Sequence, residues 1–242
     1  MSEGGSKFPF CELHSIQALI LDCDGVLLNS GRAYYAAYER VLNEAGISTT
    51  PREVYLLEGQ RTTQVLSGIF EARNLPFSNA QIQEMTDRRR DYQAEIGCDF
   101  FSGIWQLLAE VRAEGIKSAV VTGSSRKSIQ LVITKNLEHY FDVVISADDV
   151  LHPKPHPEPF LLAASKLGIA PSNCLVVENA PFGVLSAKAA GCRVIGICTT
   201  LPPEDLKNAD WVVADHCGLE SLLSSKSETD FIVSARQSHG HD

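Results

Sequence analysis

Two aspartates separated by one residue, Asp22 and Asp24, follow a short apolar run and precede a glycine. Carboxylates so placed can act as a nucleophile, transfer a proton or supply oxygen ligands to a hard cation such as Mg²⁺. The same residues also suit a tight turn after a strand, because Asp and Gly both favour turn geometry. Taken alone, the pair leaves chemistry and a plain turn about equally open.

Polar side chains also stand near the ends of later apolar runs. Thr122 opens the sequence TGSS, Lys154 opens KPHPEPF, and Glu178 with Asn179 closes a further run. Each has a purely structural interpretation, which is a helix N-cap for TGSS, a stiff connector for KPHPEPF and a turn for the Glu-Asn pair. Their joint occurrence in this order favours a shared site.

Six short apolar runs predict the strands that position these groups. They are ALIL (18–21), SAVVT (118–122), DVVIS (142–146), CLVVE (174–178), RVIGICT (193–199) and WVVA (211–214). Helical patterns such as GIWQLLAEVRAEG separate the later runs. This alternation predicts an α/β fold, a Rossmann-like doubly wound parallel sheet with helices on both faces. Such sheets bind ligands at the carboxyl ends of their strands, so we expect the polar groups together at that edge.

Residues 31–100 contain helical patterns without a convincing strand, which predicts a helical cap inserted after the first strand. PRE (51–53) and NLPFSNAQ (74–81) resemble helix starts and the turns between helices. The α/β core then comprises residues 15–30 and 101–224. Residues 1–14 and 225–242 are polar and are expected to form flexible tails.

The composition argues against several kinds of partner. The net charge of -9 at pH 7 disfavours nucleic acids and anionic membranes, which bind through Lys and Arg. The seven cysteines show no spacing typical of a zinc site or a disulfide framework. No run approaches the roughly 20 apolar residues of a membrane span, and the N-terminal residues lack the pattern of a signal peptide. We therefore expect a cytoplasmic protein with no nucleic-acid or membrane partner.

Four motifs together resemble those of the haloacid dehalogenase superfamily. They are, in order, DCDGVLLNS (22–30), VVTGSS (120–125), KPHPEPF (154–160) and VVENAPFGVLSAKAAG (176–191). The resemblance covers nearly the whole core and places the helical cap directly after the first motif. It is strongest to the branch of β-phosphoglucomutase and phosphoglycolate phosphatase, and it indicates mechanism far better than substrate.

The resemblance implies a phosphatase that hydrolyses a small phosphorylated metabolite, of the sugar phosphate or phosphoglycolate type, through an aspartyl-phosphate intermediate. Asp22 would attack phosphorus. Asp24 would protonate the leaving oxygen and later help to deprotonate water. Lys154 would neutralise the transferring phosphoryl group as a point charge.

The resemblance also assigns groups that bind phosphate. The Thr122 hydroxyl and the backbone N–H groups of Gly123 and Ser124 would bind the phosphoryl oxygens. A strand that leads into a helix N-terminus forms a natural anion site, which fits this assignment.

Mg²⁺ is the cofactor that the resemblance implies. Its oxygen ligands would be Asp22, the carbonyl of Asp24, Glu178 and Asn179. Asn179 departs from the family, in which a second acidic residue is common at this position, and Asn29 stands where Asp is usual. An amide oxygen can bind Mg²⁺ but brings no charge. We therefore predict weaker metal binding than an Asp at position 179 would give.

The predicted cap contains no lysine and no histidine. The resemblance associates β-phosphoglucomutases with a cap histidine and lysine, and phosphonate-cleaving relatives with a cap lysine, so neither activity is favoured. Dehalogenases usually lack the second aspartate, which is Asp24 here. Arg61 in EGQRTTQ is our candidate for binding the distal group of the substrate through its planar guanidinium. A solvated helix face is the alternative for most arginines of this segment.

Two alternatives to a phosphatase stay open. In a β-phosphoglucomutase-type mutase, the phosphate on Asp22 would return to the substrate. In a non-catalytic phosphate-binding protein on the same fold, Asn179 would mark the loss of activity. Whichever of these functions holds, we expect a monomer or weak dimer.

Overall fold

The computed structural model describes residues 16–133 and 141–224, and the predicted tails lie outside the described residues. In this part of the chain the strands are β1 (Ala18–Leu21), β2 (Lys117–Val121), β3 (Val143–Ile145), β4 (Cys174–Glu178), β5 (Arg193–Ile197) and β6 (Trp211–Val213). They form one parallel sheet in the order β3-β2-β1-β4-β5-β6. All six predicted strands and the Rossmann-like α/β fold are confirmed.

The helices of the described residues are, in chain order, α1 (Gly31–Glu44), α2 (Pro51–Tyr55), α3 (Thr62–Ala72), α4 (Asn79–Ile96), α5 (Ile104–Ala113), α6 (Arg126–Ile133), α7 (Glu158–Leu167), α8 (Pro181–Ala189) and α9 (His216–Ser224). Within those residues, no helix is long and apolar enough to cross a membrane.

Helices cover both faces of the sheet, and the central strand β1 is buried on both sides. Its side chains alternate between the two faces. Leu19 and Leu21 pack into a hydrophobic cluster with α5, α6 and α9. Ala18 and Ile20 pack into a second cluster with α7 and α8. Burial on both faces explains why these strands occur as continuous apolar runs in the sequence.

Helices α1–α4 follow β1 and form a helical insert, residues 31–96, with a hydrophobic cluster of its own. Pro51 opens α2, and the preceding Thr50 hydroxyl accepts a hydrogen bond from Glu53 N. The Ser78 hydroxyl caps α4 in the same way by accepting from Gln81 N. Both predicted helix starts are confirmed. The treatment of this insert as a separate cap domain stays a prediction.

The chain leaves and re-enters the core along two adjacent segments. Asn29 N donates a hydrogen bond to Asp99 O at 2.8 Å, and Phe101 N donates to Leu27 O at 3.1 Å. The two connections of the helical insert are therefore bonded to each other close to Asp24.

Candidate active site

The carboxyl ends of neighbouring strands bring the predicted polar groups together. Asp22 follows β1, Thr122 follows β2 and Glu178 ends β4, and all three side chains are buried. Backbone hydrogen bonds from Asp22 N to Val177 O and from Thr122 N to Ile145 O continue the strand pairing up to these residues. The functional groups therefore stand on rigid sheet positions at one edge.

Lys154 lies between two of these carboxylates. Its Nζ donates hydrogen bonds to Asp22 Oδ1 at 2.7 Å, to Glu178 Oε1 at 2.5 Å and to Val121 O at 3.1 Å. The residue is only 2% exposed. Burial opposes its charge, but the charges of Asp22 and Glu178 outweigh burial and raise the pKa of Lys154 above its ordinary value. The ammonium group is therefore a permanent cation in the site.

Glu178 uses both carboxylate oxygens in hydrogen bonds with the protein. Oε1 accepts from Lys154, and Oε2 accepts from the backbone N–H groups of Asn179 and Ala180 at 3.0 and 3.2 Å. Gly183 in α8 lies so close that a Cβ atom there would stand 1.8 Å from Oε1. In this arrangement Glu178 positions Lys154, and its predicted role as a metal ligand stays a prediction.

One hydrogen bond joins the loops after β1 and β2, and a second one lies within the loop after β2. Ser124 Oγ donates to Asp24 Oδ2 at 3.0 Å, and Ser124 N donates to Thr122 Oγ1 at 2.9 Å. One small pocket is lined by Asp22, Asp24, Thr122, Gly123 and Ser124. The structure thus brings these predicted site residues together, while their roles in catalysis stay predictions.

Asn179 is fully buried beside the loop after β1. Its Nδ2 donates hydrogen bonds to Glu58 Oε2 at 3.1 Å and to Thr200 Oγ1 at 3.0 Å. Its Oδ1 accepts no hydrogen bond from any group in the described ranges. Gly25, at a φ of 77°, makes room for this side chain, since a Cβ atom there would lie 2.2 Å from Nδ2. The unpaired oxygen is a buried acceptor that a hard cation could satisfy.

Glu58 is a carboxylate of this site that the sequence analysis missed. It lies just after α2 in the helical insert and is 4% exposed. Burial and the neighbouring charges of Asp24 and Asp22 raise the pKa of Glu58 well above its ordinary value. The sequence offers no signal for it, because a glutamate in EGQRTTQ is equally typical of a solvated loop.

The site carries more negative than positive charge. Four carboxylates interact electrostatically here, namely those of Asp22, Asp24, Glu58 and Glu178. Lys154 lies among them and donates a hydrogen bond to Asp22. Burial raises the pKa of Asp22 well above its ordinary value, Lys154 opposes that rise and Glu178 adds to it. A divalent cation would offset the surplus charge, and oxygen donors of this kind suit Mg²⁺.

Arg61 links the helical insert to the core. Its Nη2 donates hydrogen bonds to Val150 O at 2.7 Å and to Ala147 O at 3.2 Å, in the segment after β3. The guanidinium is therefore occupied by backbone carbonyls in this structure. Its predicted contact with the substrate stays a prediction.

Arg89 in α4 has different surroundings. It is 7% exposed, and its guanidinium lies over the rings of Tyr34 and Tyr38, 4.7 and 4.6 Å from their centroids. Its Nε has no hydrogen-bond partner within the described residues. The side chain lines both the small pocket beside Asp24 and an adjoining cavity of about 380 Å³. The sequence DRRRD indicates a solvated helix face and did not single out Arg89.

Comparisons with known proteins match most of the chain. The family model described as "Haloacid dehalogenase-like hydrolase" matches residues 19–197. The fructose-1-phosphate phosphatase YqaB of Escherichia coli (strain K12) is 30% identical over 192 residues, which cover 74% of this chain and 95% of that protein. The phosphoglycolate phosphatase of Pectobacterium atrosepticum is 29% identical over 191 residues, which cover 77% of this chain and 82% of that protein.

A solved structure also shares the fold. The crystal structure of β-phosphoglucomutase from Clostridium difficile is similar with a TM-score of 0.75 and 26% identity. The similarity covers 90% of this chain and 99% of that one. It therefore extends over the parallel sheet and the helical insert.

Proposed function

Because the chain belongs to the haloacid dehalogenase-like hydrolases, we propose that it is a Mg²⁺-dependent phosphatase of small phosphorylated metabolites. The substrates would be of the sugar phosphate or phosphoglycolate type, as the names of its relatives suggest. The observation that best supports this proposal is the contact of Asp22 with the buried ammonium of Lys154 at 2.7 Å. A fixed carboxylate beside a permanent cation is suited to attack an anionic phosphoryl group.

Asp22 is the nucleophile of the proposed first step. One of its carboxylate oxygens forms a bond to phosphorus while the bond from phosphorus to the ester oxygen breaks, which gives the aspartyl-phosphate. Asp24 gives its proton to the leaving ester oxygen. The Ser124 hydroxyl, 3.0 Å from Asp24 Oδ2, helps to hold that carboxyl group in place.

Hydrolysis of the intermediate reverses the proton transfer. Asp24 takes a proton from the water that attacks phosphorus, and Asp22 departs as a carboxylate while inorganic phosphate is released. Lys154 and the Thr122 hydroxyl stabilise the phosphoryl oxygens in both steps. Ser124 N is bonded to Thr122 in the structure, so its use for phosphate requires that bond to open.

The donor set fits Mg²⁺. The cation would be held by Asp22, the carbonyl oxygen of Asp24, Glu178 and the unpaired Oδ1 of Asn179. When bound, Mg²⁺ supplies the positive charge that lets a carboxylate approach a phosphate.

The helical insert is the proposed source of substrate choice. It would close over the site, exclude water and open again for product release, with Gly31 and Gly103 as hinges. Arg89, which is buried without a salt bridge among the described residues, is placed to bind a second anionic group of the substrate. A cytoplasmic location and a monomeric or weakly dimeric state remain part of the proposal.

The mutase alternative has no better support than hydrolysis, because the helical insert contains no lysine or histidine to hold a sugar in two orientations. The alternative of a non-catalytic binding protein rests on Asn179 alone. The mutase would give an isomerised product and the binding protein would give no product, so analysis of the products separates both from a phosphatase.

The test is phosphate release from an aryl phosphate and a panel of sugar and short-acid phosphates, with and without Mg²⁺. We expect metal-dependent turnover that Asp22→Asn reduces by roughly 10⁴-fold. Asp148→Asn is the matched control, because Asp148 follows β3 and accepts a hydrogen bond from Arg126 N. Unchanged turnover in Asp22→Asn would contradict the proposal. An isomerised product would favour the mutase, and phosphate binding without turnover would favour the binding protein.

A further inference from the structure

We propose that Glu58 supplies the negative charge that Asn179 does not bring to the metal site, so that the helical insert completes this site from outside the core. The inference rests on the proposed Mg²⁺ dependence and adds a positioning residue to it. It concerns the contact between Glu58 Oε2 and Asn179 Nδ2, which are 3.1 Å apart.

This contact fixes the orientation of the Asn179 amide. An amide nitrogen has two N–H donors, and here they are used by Glu58 Oε2 and Thr200 Oγ1. The opposite orientation would place the amide oxygen against the carboxylate of Glu58, where like partial charges repel. In its ionised form Glu58 therefore selects the orientation in which Oδ1 stays unpaired and is free to bind a cation, and a bound cation favours that ionised form.

The same contact strengthens Asn179 as a ligand. A carboxylate that accepts a hydrogen bond from the N–H of an amide polarises the amide and increases the negative charge on its oxygen. Residues that form hydrogen bonds to a metal ligand fix its orientation and increase its basicity in the same way. The oxygen of this neutral amide therefore carries more negative charge than it would without Glu58, although it carries less than the acidic residue that is common at this position in the family.

Glu58 itself lacks a cation in the described part of the chain. Its carboxylate is bonded to Asn179, and no salt bridge of the described residues includes it. It lines the same pocket as Asp22 and Asp24. A buried carboxylate beside two others is costly unless a positive charge offsets it. A divalent cation bound by Asn179 Oδ1 would offset it.

The position of Glu58 depends on how the helical insert packs against the core. The next residue, Gly59, packs directly against Gly123, where a Cβ atom would lie 2.7 Å from Gly59 O. Arg61 then bonds to the carbonyls of Ala147 and Val150. Metal binding and packing of the insert against the core are therefore coupled. Each of them favours the arrangement in which Glu58 contacts Asn179.

The test is direct binding of Mn²⁺, followed by electron paramagnetic resonance, and of Mg²⁺, followed by calorimetry. Neither readout needs turnover. We expect Glu58→Gln to weaken binding by roughly tenfold to 100-fold, as for other residues that support a metal ligand. Adding Asn179→Asp to Glu58→Gln should restore binding, because the charge then returns through the ligand itself. Thermal unfolding of each variant verifies that it is folded.

Glu53→Gln in α2 is the matched control, because Glu53 bonds to Thr49 and Arg73 away from the site, and its binding of Mn²⁺ should not change. Equal Mn²⁺ affinity in the original protein and in folded Glu58→Gln would overturn the inference and leave the phosphatase proposal intact. Loss of binding that Asn179→Asp does not restore would also overturn it. If the original protein bound no Mn²⁺ or Mg²⁺, the proposed metal dependence would fail together with the inference.

Discussion

Gly183 shows how closely the site is packed at the level of single residues. A Cβ atom at this position would stand 1.8 Å from Glu178 Oε1, the oxygen that holds Lys154 at 2.5 Å. The other carboxylate oxygen of Glu178 accepts hydrogen bonds from Asn179 N and Ala180 N, which hold the side chain in this position. The orientation of Lys154 thus depends on the absence of one methyl group in the neighbouring helix.

We therefore predict that Gly183→Ala displaces Glu178 and loosens Lys154. Phosphate release should fall by roughly 10²-fold, and the free energy of unfolding should fall by about 1–3 kcal/mol from overpacking. Steady-state kinetics and urea unfolding measure the two effects. Gly68→Ala in α3 is the control, because a Cβ atom there meets nothing within 4 Å and should stabilise the helix slightly. An active and stable Gly183→Ala variant would show that Glu178 can adapt.

At the level of elements, α9 fixes the loop that carries the two aspartates. Its first residue, His216, is 8% exposed and stacks on Phe101 with ring centroids 4.1 Å apart. Its Nε2 lies 2.7 Å from Val26 O and must donate the hydrogen bond, because a carbonyl oxygen only accepts. The last helix of the described chain thus stabilises the turn that follows Asp24.

This contact predicts a dependence of stability on pH. Burial lowers the pKa of His216 below its ordinary value, although the hydrogen bond to Val26 O opposes this shift. The unfolded chain then binds a proton more readily than the folded chain. Stability is therefore full above the ordinary pKa of about 6.5 and falls as the pH decreases through that value towards the folded pKa.

Urea unfolding at a series of pH values between about 8 and about 5 measures this effect. The original protein should lose more stability on acidification than His216→Gln, which cannot titrate at this position. Parallel curves for the original protein and for His216→Gln would exclude His216 as the cause.

The sequence predicted the elements well and the interior of the site only in part. Strands such as β1 and β4 are buried on both faces, so their apolar runs are distinctive. The side chains that follow them were predicted to meet, because parallel strands share one carboxyl edge. Glu58 and Arg89 could not be predicted, since charged residues in loops and on helices are usually solvated. Their burial results from packing between the helical insert and the core, which local sequence does not reveal.

At the level of the whole molecule, two arginines of the helical insert have different surroundings. Arg61 joins the insert to the core through the carbonyls of Ala147 and Val150. Arg89 remains inside the insert, over Tyr34 and Tyr38, and lines the cavity beside Asp24. Arg61 should therefore control how the insert packs against the core, and Arg89 should control which substrate binds beneath the insert.

Kinetics of Arg61→Gln and Arg89→Gln distinguish these tasks. Arg89→Gln should raise the KM of substrates with a second anionic group by roughly tenfold to 100-fold, since hydrogen bonds between charged groups contribute about 1.5–3 kcal/mol. The KM of an aryl phosphate should change much less. Arg61→Gln should impair both kinds of substrate to a similar extent and speed hydrogen exchange of the amides near Gly59, because the whole insert is loosened. A selective effect of Arg61→Gln on doubly anionic substrates would instead support a direct contact of Arg61 with the substrate.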